Sequence, residues 1–356
     1  MSVEICKLAD HLLNIQYKKG QNIGFVPRSV GIINRQAPYP EITGYAVTSL
    51  MRAFHVTKEE KYRRGASLAA KALIDTQWDS GLFPSVWADG KAHKVTHVFD
   101  NIIIARGLLD YSKGDVNSEY RIASFKCLEA LNQFYVTNGG SAKLTHDGNR
   151  VASEFPDYFW INLKMLIPLI IGYELCNDTK WVKIAEHVFN LHMSRFESNG
   201  TFIDPTHLFL NRTHYTAYAL YGLAAYEILI NNEELLGKIS TGVETLIEHS
   251  LNSEYIPVKY LIKFNSRYDR FLDVPVTAQI LELLSYLSRR KPCAKAKYDR
   301  IRNRLEGALK RELFHGRAWG LMNGGLPFVK GQYRLPRAIP WGTEFYINYL
   351  YDKESE

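Results

Sequence analysis

The 356-residue sequence predicts an all-α fold, an (α/α)6 toroid in which six outer helices surround six inner helices. Apolar residues recur at i, i+3, i+4 and i+7 along most of the chain, and few segments alternate as strands do. The helical segments are of two kinds in strict alternation, amphipathic with a charged face and apolar on nearly every side. A helix that is apolar all round has to be buried all round, so one ring inside another accommodates both kinds.

Each of six repeats joins an outer helix to an inner helix, and we expect one toroid domain over residues 1–356. The outer helices are predicted at residues 2–18, 59–76, 117–136, 178–195, 234–252 and 294–313. The inner helices are predicted at residues 41–54, 96–112, 157–175, 213–230, 273–288 and 340–351. An open solenoid of helix pairs, which would bind along a groove, is the alternative.

The loops that run from an outer helix to the next inner helix are long and rich in Gly, Pro and aromatic residues, whereas the reverse links are short. Long loops without helices or strands of their own are uncommon unless they have a function. Since every long loop leads into the N-terminus of an inner helix, all six should open on one face. We expect the functional site on that face.

Composition excludes several classes of protein. With 46% apolar and 23% charged residues, the chain is an ordinary globular one. No run approaches the roughly 18 apolar residues of a membrane span, and the N-terminus is typical of an amphipathic helix rather than a signal peptide. The four cysteines form no CxxC pair, and no HExxH or other metal-ligand spacing occurs. We therefore expect a cytoplasmic protein without cofactor or metal, inserted in no membrane.

A titratable residue lies close to the start of every predicted inner helix, and a closed ring would bring these six side chains together. They are Glu41, Asp100, Asp157, His214, Asp273 and Glu344. Acidic residues also suit the first helical turn as caps or against the helix dipole, which is the structural alternative. Beside apolar helices, however, burial of carboxyl groups is costly, which favours a function for the set.

Two carboxyl groups across a substrate can divide the general acid and general base roles, as glycoside hydrolysis requires. Helix dipoles stabilise carboxylates, so the acid of the pair has to be desolvated or placed beside a second carboxylate. Asp100 follows Val98 and Phe99, and Asp157 precedes three aromatic residues, so both have apolar neighbours. These two are the preferred catalytic pair, with Glu41 and Glu344 in reserve.

Histidines and tyrosines at the same positions provide an alternative. A sugar epimerase or a polysaccharide lyase needs a base that removes a proton from carbon. His97, His214, Tyr45 or Tyr215 could be that base. A toroid that only binds glycans, without catalysis, is a further alternative. Helix caps or core packing would equally explain these side chains.

Aromatic and basic side chains in the long loops are candidates for binding a carbohydrate. Sugar rings present flat C–H faces that pack on aromatic rings, and guanidinium groups bind carboxylates in bidentate fashion. The candidate substrate-binding residues are His97, Trp87, Tyr45, Tyr215, Arg212, Arg267, Arg334, Arg337 and Trp341.

In its pattern of helix pairs, nearly the whole chain resembles the (α/α)6-toroid carbohydrate enzymes, above all the unsaturated glucuronyl hydrolases. The segment PDYFWINLKMLIPLIIGYEL followed by NDTKW is similar to that family's third inner helix and turn, and PWGTEFYINYLY to its closing helix. In the family two aspartates open successive inner helices, and Asp100 and Asp157 lie near the matching positions. Where the hydrolases carry Arg and Gln, this chain has His214 and Thr216. Sugar 2-epimerases and the helical domain of glucuronyl C5-epimerases are more distantly similar.

The net charge of +7 is concentrated in two loops. Residues 19–40 contain Lys19, Arg28 and Arg35 and no acid, and residues 314–337 contain four basic residues and no acid. In a closed ring these loops are neighbours, so they predict a basic arc at the funnel mouth, which Arg267 and Arg270 extend. The partner we expect is an anionic carbohydrate. No helix carries a one-sided basic stripe, which argues against nucleic acid.

Overall fold

A computed structural model of the chain describes residues 2–28, 30–31, 37–88, 91–114, 118–138, 143–149, 159–198, 200–202, 210–248, 256–257, 259–261, 266–267, 272–315, 329–330, 337–338 and 340–354. These residues form twelve α-helices: α1 (Ser2–Ile15), α2 (Pro40–Thr57), α3 (Glu60–Ile74), α4 (Val98–Tyr111), α5 (Glu119–Asn138), α6 (Leu166–Cys176), α7 (Lys180–Met193), α8 (Thr213–Ile230), α9 (Glu233–Glu248), α10 (Val274–Arg290), α11 (Lys295–His315) and α12 (Pro340–Glu354). Each predicted helix is present with its ends shifted by a few residues, except that the α-helix of the third inner segment begins only at Leu166.

The even-numbered helices form a closed inner ring. Each of α2, α4, α6, α8 and α10 packs against the next inner helix, and α12 packs against α2. The outer helices α3, α5, α7, α9 and α11 each pack against the inner helix before them, and α1 packs against both α2 and α12. The predicted toroid is therefore confirmed, and the open solenoid is wrong because its two ends would not touch.

Glycines let the inner helices approach backbone to backbone. A Cβ atom at Gly107 of α4 would clash with the carbonyl oxygen of Gly44 of α2, and one at Gly222 of α8 would clash with the carbonyl oxygen of Leu163. Only a residue without a Cβ atom fits such a crossing. These contacts draw the inner helices close to one another.

The third inner helix differs from the prediction of one α-helix over residues 157–175. Residues Phe159–Met165 form a 3-10 helix, and the α-helix begins only at Leu166. Pro168 explains the change, since it has no N–H for an α-helical bond to the carbonyl of Lys164 and its ring would clash with that carbonyl. The tighter turn therefore places Lys164 just before α6.

The long loops contain short strands that the sequence did not predict, because two or three residues show no detectable alternation. They are β1 (Val30–Gly31), β2 (Trp87–Ala88), β3 (Lys91–Ala92), β4 (Val95–His97), β5 (Lys143–Thr145), β6 (Leu210–Arg212), β7 (Ile256–Pro257), β8 (Lys259–Leu261), β9 (Ser266–Arg267), β10 (Leu272–Asp273), β11 (Val329–Lys330) and β12 (Arg337–Ala338).

Antiparallel pairing of these strands joins neighbouring loops. Strand β1 of the first loop pairs with β12 of the last, with Val30 opposite Ala338. Strands β4 and β5 join the second and third loops, β6 and β8 the fourth and fifth, and β10 and β11 the fifth and sixth. The first and last loops are thus neighbours, as a closed ring requires.

Within the described part of the chain, no helix has the length and apolar composition needed to cross a bilayer.

Candidate functional site

The start of the first inner helix carries Glu41 into the floor of the funnel. Tyr39 is the extended residue before α2, and Pro40 is its first helical residue. Proline suits that position because its fixed φ matches the helix and its missing N–H would have had no helical partner. Glu41 follows in the first turn and remains half-buried.

A network of polar side chains holds the start of the second inner helix. The side chain of Asn101 accepts a hydrogen bond from the backbone N–H of Phe83 at 2.7 Å and donates one to the Thr96 hydroxyl at 2.6 Å. The backbone N–H of His97 donates to Oγ of Ser85 at 2.8 Å. This network fixes the first turn of α4, which contains Asp100.

Glu41 and Asp100 form an interacting pair of carboxyl groups on neighbouring inner helices. Burial raises the pKa of Glu41 well above its usual range, and the negative charge of Asp100 raises it further. Burial also raises the pKa of Asp100, which is only 4% exposed, but His97 and the hydroxyls of Ser85 and Tyr39 oppose that rise. These effects favour the protonated form of Glu41 more strongly than that of Asp100.

Glu344 of α12 is the third carboxyl group of this cluster. Its side chain is fully buried, and neither carboxyl oxygen has a hydrogen-bond partner among the described residues. Burial raises the pKa of Glu344 well above its usual range, and the charge of Glu41 adds to the effect. Burial without a hydrogen-bond partner disfavours the ionised form of this carboxyl group.

A buried lysine, Lys164, lies in the 3-10 helix just before α6. Nζ of Lys164 donates a hydrogen bond of 2.7 Å to the hydroxyl oxygen of Tyr45, and the lysine is only 1% exposed. Aromatic rings surround its amine, with Tyr218 closest at 4.1 Å from Nζ to the ring centroid. The other rings within 6 Å of it are those of Tyr45, Phe99, Tyr221 and Phe345.

The two predicted histidines lie at the starts of α4 and α8. His97 is the extended residue before α4, and His214 is the second residue of α8, with its ring 4.1 Å from that of Tyr215. Both histidines are half-buried. A ring contact of 4.9 Å between Phe99 and Tyr218 joins the two helices below them.

The aromatic residues predicted to bind sugar differ in how deeply their side chains are buried. Trp341 and Tyr215 are half-buried in the first turns of α12 and α8. Trp87 stacks on Phe25, and its indole N–H donates to the side chain of Asn22 at 3.1 Å. Tyr45 is only 2% exposed, and its hydroxyl oxygen accepts the hydrogen bond from Lys164, so its side chain lies in the core.

Several predicted site residues are described only in part or lie outside the described residues. Asp157 and Arg334 are outside the described residues. For four others the structure describes only the backbone. They are Arg212 in β6, Arg267 in β9, Asp273 in β10 and Arg337 in β12. Their roles stay predictions.

Sequence reasoning missed Lys164 and Tyr39, and it named Arg28 only as a member of the basic arc. Lys164 had a detectable signal, since it is the one basic residue in the apolar segment FWINLKMLIPLIIG. Arg28 is exposed, and its guanidinium carbon lies 5.2 Å from the centroid of the Tyr39 ring. Its positive charge lowers the pKa of both Glu41 and Asp100, so it is close enough to the pair to act on it.

The described side chains at the starts of the inner helices include groups that can exchange protons. No group of three or more His, Cys, Asp or Glu side chains in the described ranges is arranged to hold a metal ion. The carboxyl groups of Glu41 and Asp100 and the rings of His97 and His214 lie at the starts of inner helices. Such groups donate and accept protons at a polar substrate.

No protein-family model matches the chain, and no curated protein matches it in sequence. Solved structures share the fold. A sugar epimerase from a ruminal bacterium superposes with a TM-score of 0.81 at 10% identity, over 99% of each chain. D-mannose isomerase gives a TM-score of 0.80 at 11% identity, over 99% of this chain and 96% of the other. An unsaturated glucuronyl hydrolase specific for heparin gives 0.74 at 14% identity, over 99% and 97%. The resemblance in fold to the toroid carbohydrate enzymes is thus confirmed.

Proposed function

We propose that the protein is a carbohydrate-active enzyme that hydrolyses an anionic, uronic-acid-containing oligosaccharide or polysaccharide. The observation that carries the proposal is the pair of carboxyl groups of Glu41 and Asp100 at the starts of neighbouring inner helices, where burial raises the pKa of both and the charge of Asp100 raises the pKa of Glu41 further. Glycoside hydrolysis needs such a pair, one acid to protonate the leaving oxygen and one carboxylate.

Glu41 is the proposed general acid. It is half-buried and holds the proton of the pair, so it can deliver that proton to a glycosidic oxygen at the funnel floor. Asp100 is the proposed carboxylate, which activates water or attacks the sugar. The Tyr39 hydroxyl, 3.2 Å from Oδ2 of Asp100, stabilises the ionised form. Asp157 stays an alternative partner of Asp100 from the sequence.

Basic residues support an anionic substrate. Arg28 places an exposed guanidinium against Tyr39, beside the carboxyl pair. Pairing of β1 with β12 brings together the two loops that hold the net charge of the chain. A bound uronate would meet a cation there, and one of the structures with this fold is a hydrolase specific for heparin.

The test is turnover of unsaturated uronic-acid disaccharides, followed by loss of ultraviolet absorbance and release of reducing sugar. Hydrolysis is expected, and Glu41→Gln and Asp100→Asn should each lower kcat by about a hundredfold or more. Glu234→Gln, an exposed change on the outer helix α9, is the matched control and should leave kcat unchanged. Full activity in both site variants would reject the pair, and no cleavage of any acidic oligosaccharide would reject hydrolysis.

An epimerase or isomerase is the second candidate function. His97 and His214 are half-buried at the starts of two inner helices that meet through Phe99 and Tyr218, and such a pair could remove and return a proton. Two of the structures with this fold are a sugar epimerase and a mannose isomerase. Solvent deuterium in the recovered sugar would identify this chemistry, whereas a new ultraviolet chromophore would identify a lyase.

A further inference from the structure

Asp100 occupies a position from which a side chain commonly caps its own helix. His97 is the extended residue before α4, so Asp100 is the third residue of the helix. In a capping box, the side chain at that position turns back and accepts a hydrogen bond from the backbone N–H of the residue before the helix. A carboxyl group held in this way is bonded to its own helix and not to a substrate.

Ser85, in the loop just before β2, caps α4 in place of that carboxyl group. The backbone N–H of His97 donates to Oγ of Ser85 at 2.8 Å, and the His97 side chain makes no capping bond of its own. Ser85 is only 3% exposed. Oδ2 of Asp100 accepts a hydrogen bond from Tyr39 instead, at 3.2 Å. The carboxyl group is thus joined to the first inner helix and not to the start of its own.

We infer that Ser85 is a positioning residue of the site: its hydroxyl group replaces the carboxyl group of Asp100 as the cap of α4 and so leaves that carboxyl group available to a substrate. The role at the substrate rests on the proposed function, whereas the cap of α4 can be measured in the ligand-free protein.

Hydrogen bonds from Asn101 begin the chain that orients the Ser85 hydroxyl group. Oδ1 of Asn101 accepts from the backbone N–H of Phe83 at 2.7 Å, and Nδ2 donates to the carbonyl oxygen of His97 at 3.0 Å. These backbone partners fix which end of the amide is the donor. Nδ2 therefore also donates to Oγ1 of Thr96, at 2.6 Å, and the hydroxyl hydrogen of Thr96 points elsewhere.

Thr96 in turn sets the direction of the Ser85 hydroxyl group. The two hydroxyl oxygens lie 3.2 Å apart, and both are buried. Among the described residues, both hydroxyl hydrogens have an acceptor when Thr96 donates to Ser85 and Ser85 donates to Asp100. Oγ of Ser85 then accepts from His97 and Thr96, and its own hydrogen is left for the carboxyl group.

Removal of the Ser85 hydroxyl group should turn Asp100 towards the cap. The buried N–H of His97 would lose its acceptor, and an unsatisfied buried donor is costly. The carboxyl group of Asp100 would lose a donor at the same time, three residues along the helix, so the two should bond to each other. The titratable groups that act on Asp100 stay in place in this change. They are Arg28, Tyr39, Glu41 and His97.

The first experiment follows the His97 amide proton of the ligand-free protein by NMR as the pH is changed. In Ser85→Ala its chemical shift should titrate with the same midpoint as the carboxyl carbon of Asp100, because the carboxylate becomes its acceptor. In the wild-type protein, where the acceptor is a neutral hydroxyl group, it should follow that titration much less. Adding Asp100→Asn to Ser85→Ala should abolish the titration. Equal pH dependence of this amide in Ser85→Ala and the wild-type protein would overturn the inference.

The second experiment measures turnover of the unsaturated uronic-acid disaccharide. In Ser85→Ala, kcat should fall by about tenfold to a hundredfold, as expected when a reacting group is displaced by about 1 Å. Ser112→Ala is the matched control, since Ser112 is equally buried at the other end of α4 and donates only to the carbonyl oxygen of Leu109. It should leave kcat unchanged. Wild-type kcat in Ser85→Ala would overturn the inference.

A third measurement keeps Ser85 in place, in case Ser85→Ala fails to fold. Since Ser85 and not Asp100 caps the N–H of His97, hydrogen exchange at that amide should stay within about threefold of wild type in Asp100→Ala. Exchange that accelerates tenfold or more would show that Asp100 is the cap and overturn the inference. A carboxyl group that turns to His97 in Ser85→Ala, in a protein that cleaves no sugar, would support the placement of Asp100 by Ser85 and reject the proposed function.

Discussion

The Tyr39 hydroxyl donates a hydrogen bond of 3.2 Å to Oδ2 of Asp100, and so joins the residue before the first inner helix to the first turn of the second. Tyr39 and Asp100 lie 61 positions apart in the sequence. The bond stabilises the ionised form of Asp100 and lowers its pKa against the effect of burial. It couples the geometry of two repeats to the charge state of one carboxyl group.

Replacing Tyr39 by phenylalanine removes this hydrogen bond and keeps the ring. The pKa of Asp100 should rise, so the acid limb of the pH–rate profile should move to higher pH. At pH values below the shifted limb, kcat should fall by about tenfold. Steady-state kinetics across pH measures both effects. Tyr120→Phe on the outer helix α5 is the control. An acid limb at the same pH as in the wild-type protein would contradict a catalytic charge on Asp100.

Replacing Arg28 by glutamine tests the proposed contact with an anionic substrate. A charge-assisted hydrogen bond contributes about 1.5–3 kcal/mol, so KM for a uronate substrate should rise by about tenfold to a hundredfold. The rise in KM should be seen mainly when the kinetics are measured at low salt, because high salt already screens exposed charges in the wild-type protein. Arg64→Gln, an exposed change on α3, should have no effect. An unchanged KM would place the anionic group of the substrate elsewhere.

Adding a methyl group at Gly107 tests how the inner ring closes. In Gly107→Ala the new Cβ would clash with the Gly44 carbonyl oxygen, so the free energy of unfolding should fall by about 1–3 kcal/mol. Gly237→Ala on α9 is the matched control, because a Cβ atom there meets nothing within 4 Å. That change should raise the free energy of unfolding by up to about 1 kcal/mol. Urea unfolding measures both, and equal effects would refute the close helix crossing.

The buried Glu282 predicts a pH dependence of stability with a defined sign. Burial, with the charge of Asp352, raises its pKa to about 7, so the folded protein holds a proton that the unfolded chain releases. Its contribution is therefore fully present below about pH 4.5 and is lost as the pH rises through about 7. In Glu282→Gln this loss, about 3 kcal/mol, should be absent. Urea unfolding from pH 4 to pH 8 measures it.

The control for that titration is Glu234→Gln, since Glu234 is exposed and Lys238 lowers rather than raises its pKa. It should leave the pH dependence of stability nearly unchanged. Parallel curves for Glu282→Gln and the wild-type protein would contradict a raised pKa of Glu282.

The helices could be predicted because burial leaves a local pattern. Outer helix α3 shows apolar residues on one face, whereas inner helix α8 shows them all round, and both begin and end within a few residues of the prediction. The same regularity located Glu41, Asp100 and Glu344 at the starts of inner helices, before any contact between them was known. The sequence therefore determined the features that depend on residues close together in the chain, namely the helices and the residues at their starts.

Contacts between distant repeats decided the rest. The interaction of Glu41 with Asp100 joins two inner helices that cross at Gly44 and Gly107, whereas Asp157 lies outside the described residues. The strands of the long loops exist only because neighbouring loops meet, and two residues such as Val30 and Gly31 carry no pattern of their own. The amine of Lys164 meets aromatic rings from α2, α4, α8 and α12, which only the closed ring brings together. The pattern of apolar residues in the sequence indicates whether a side chain is buried. The charge state of a buried group, however, depends on the partners that the closed ring brings next to it.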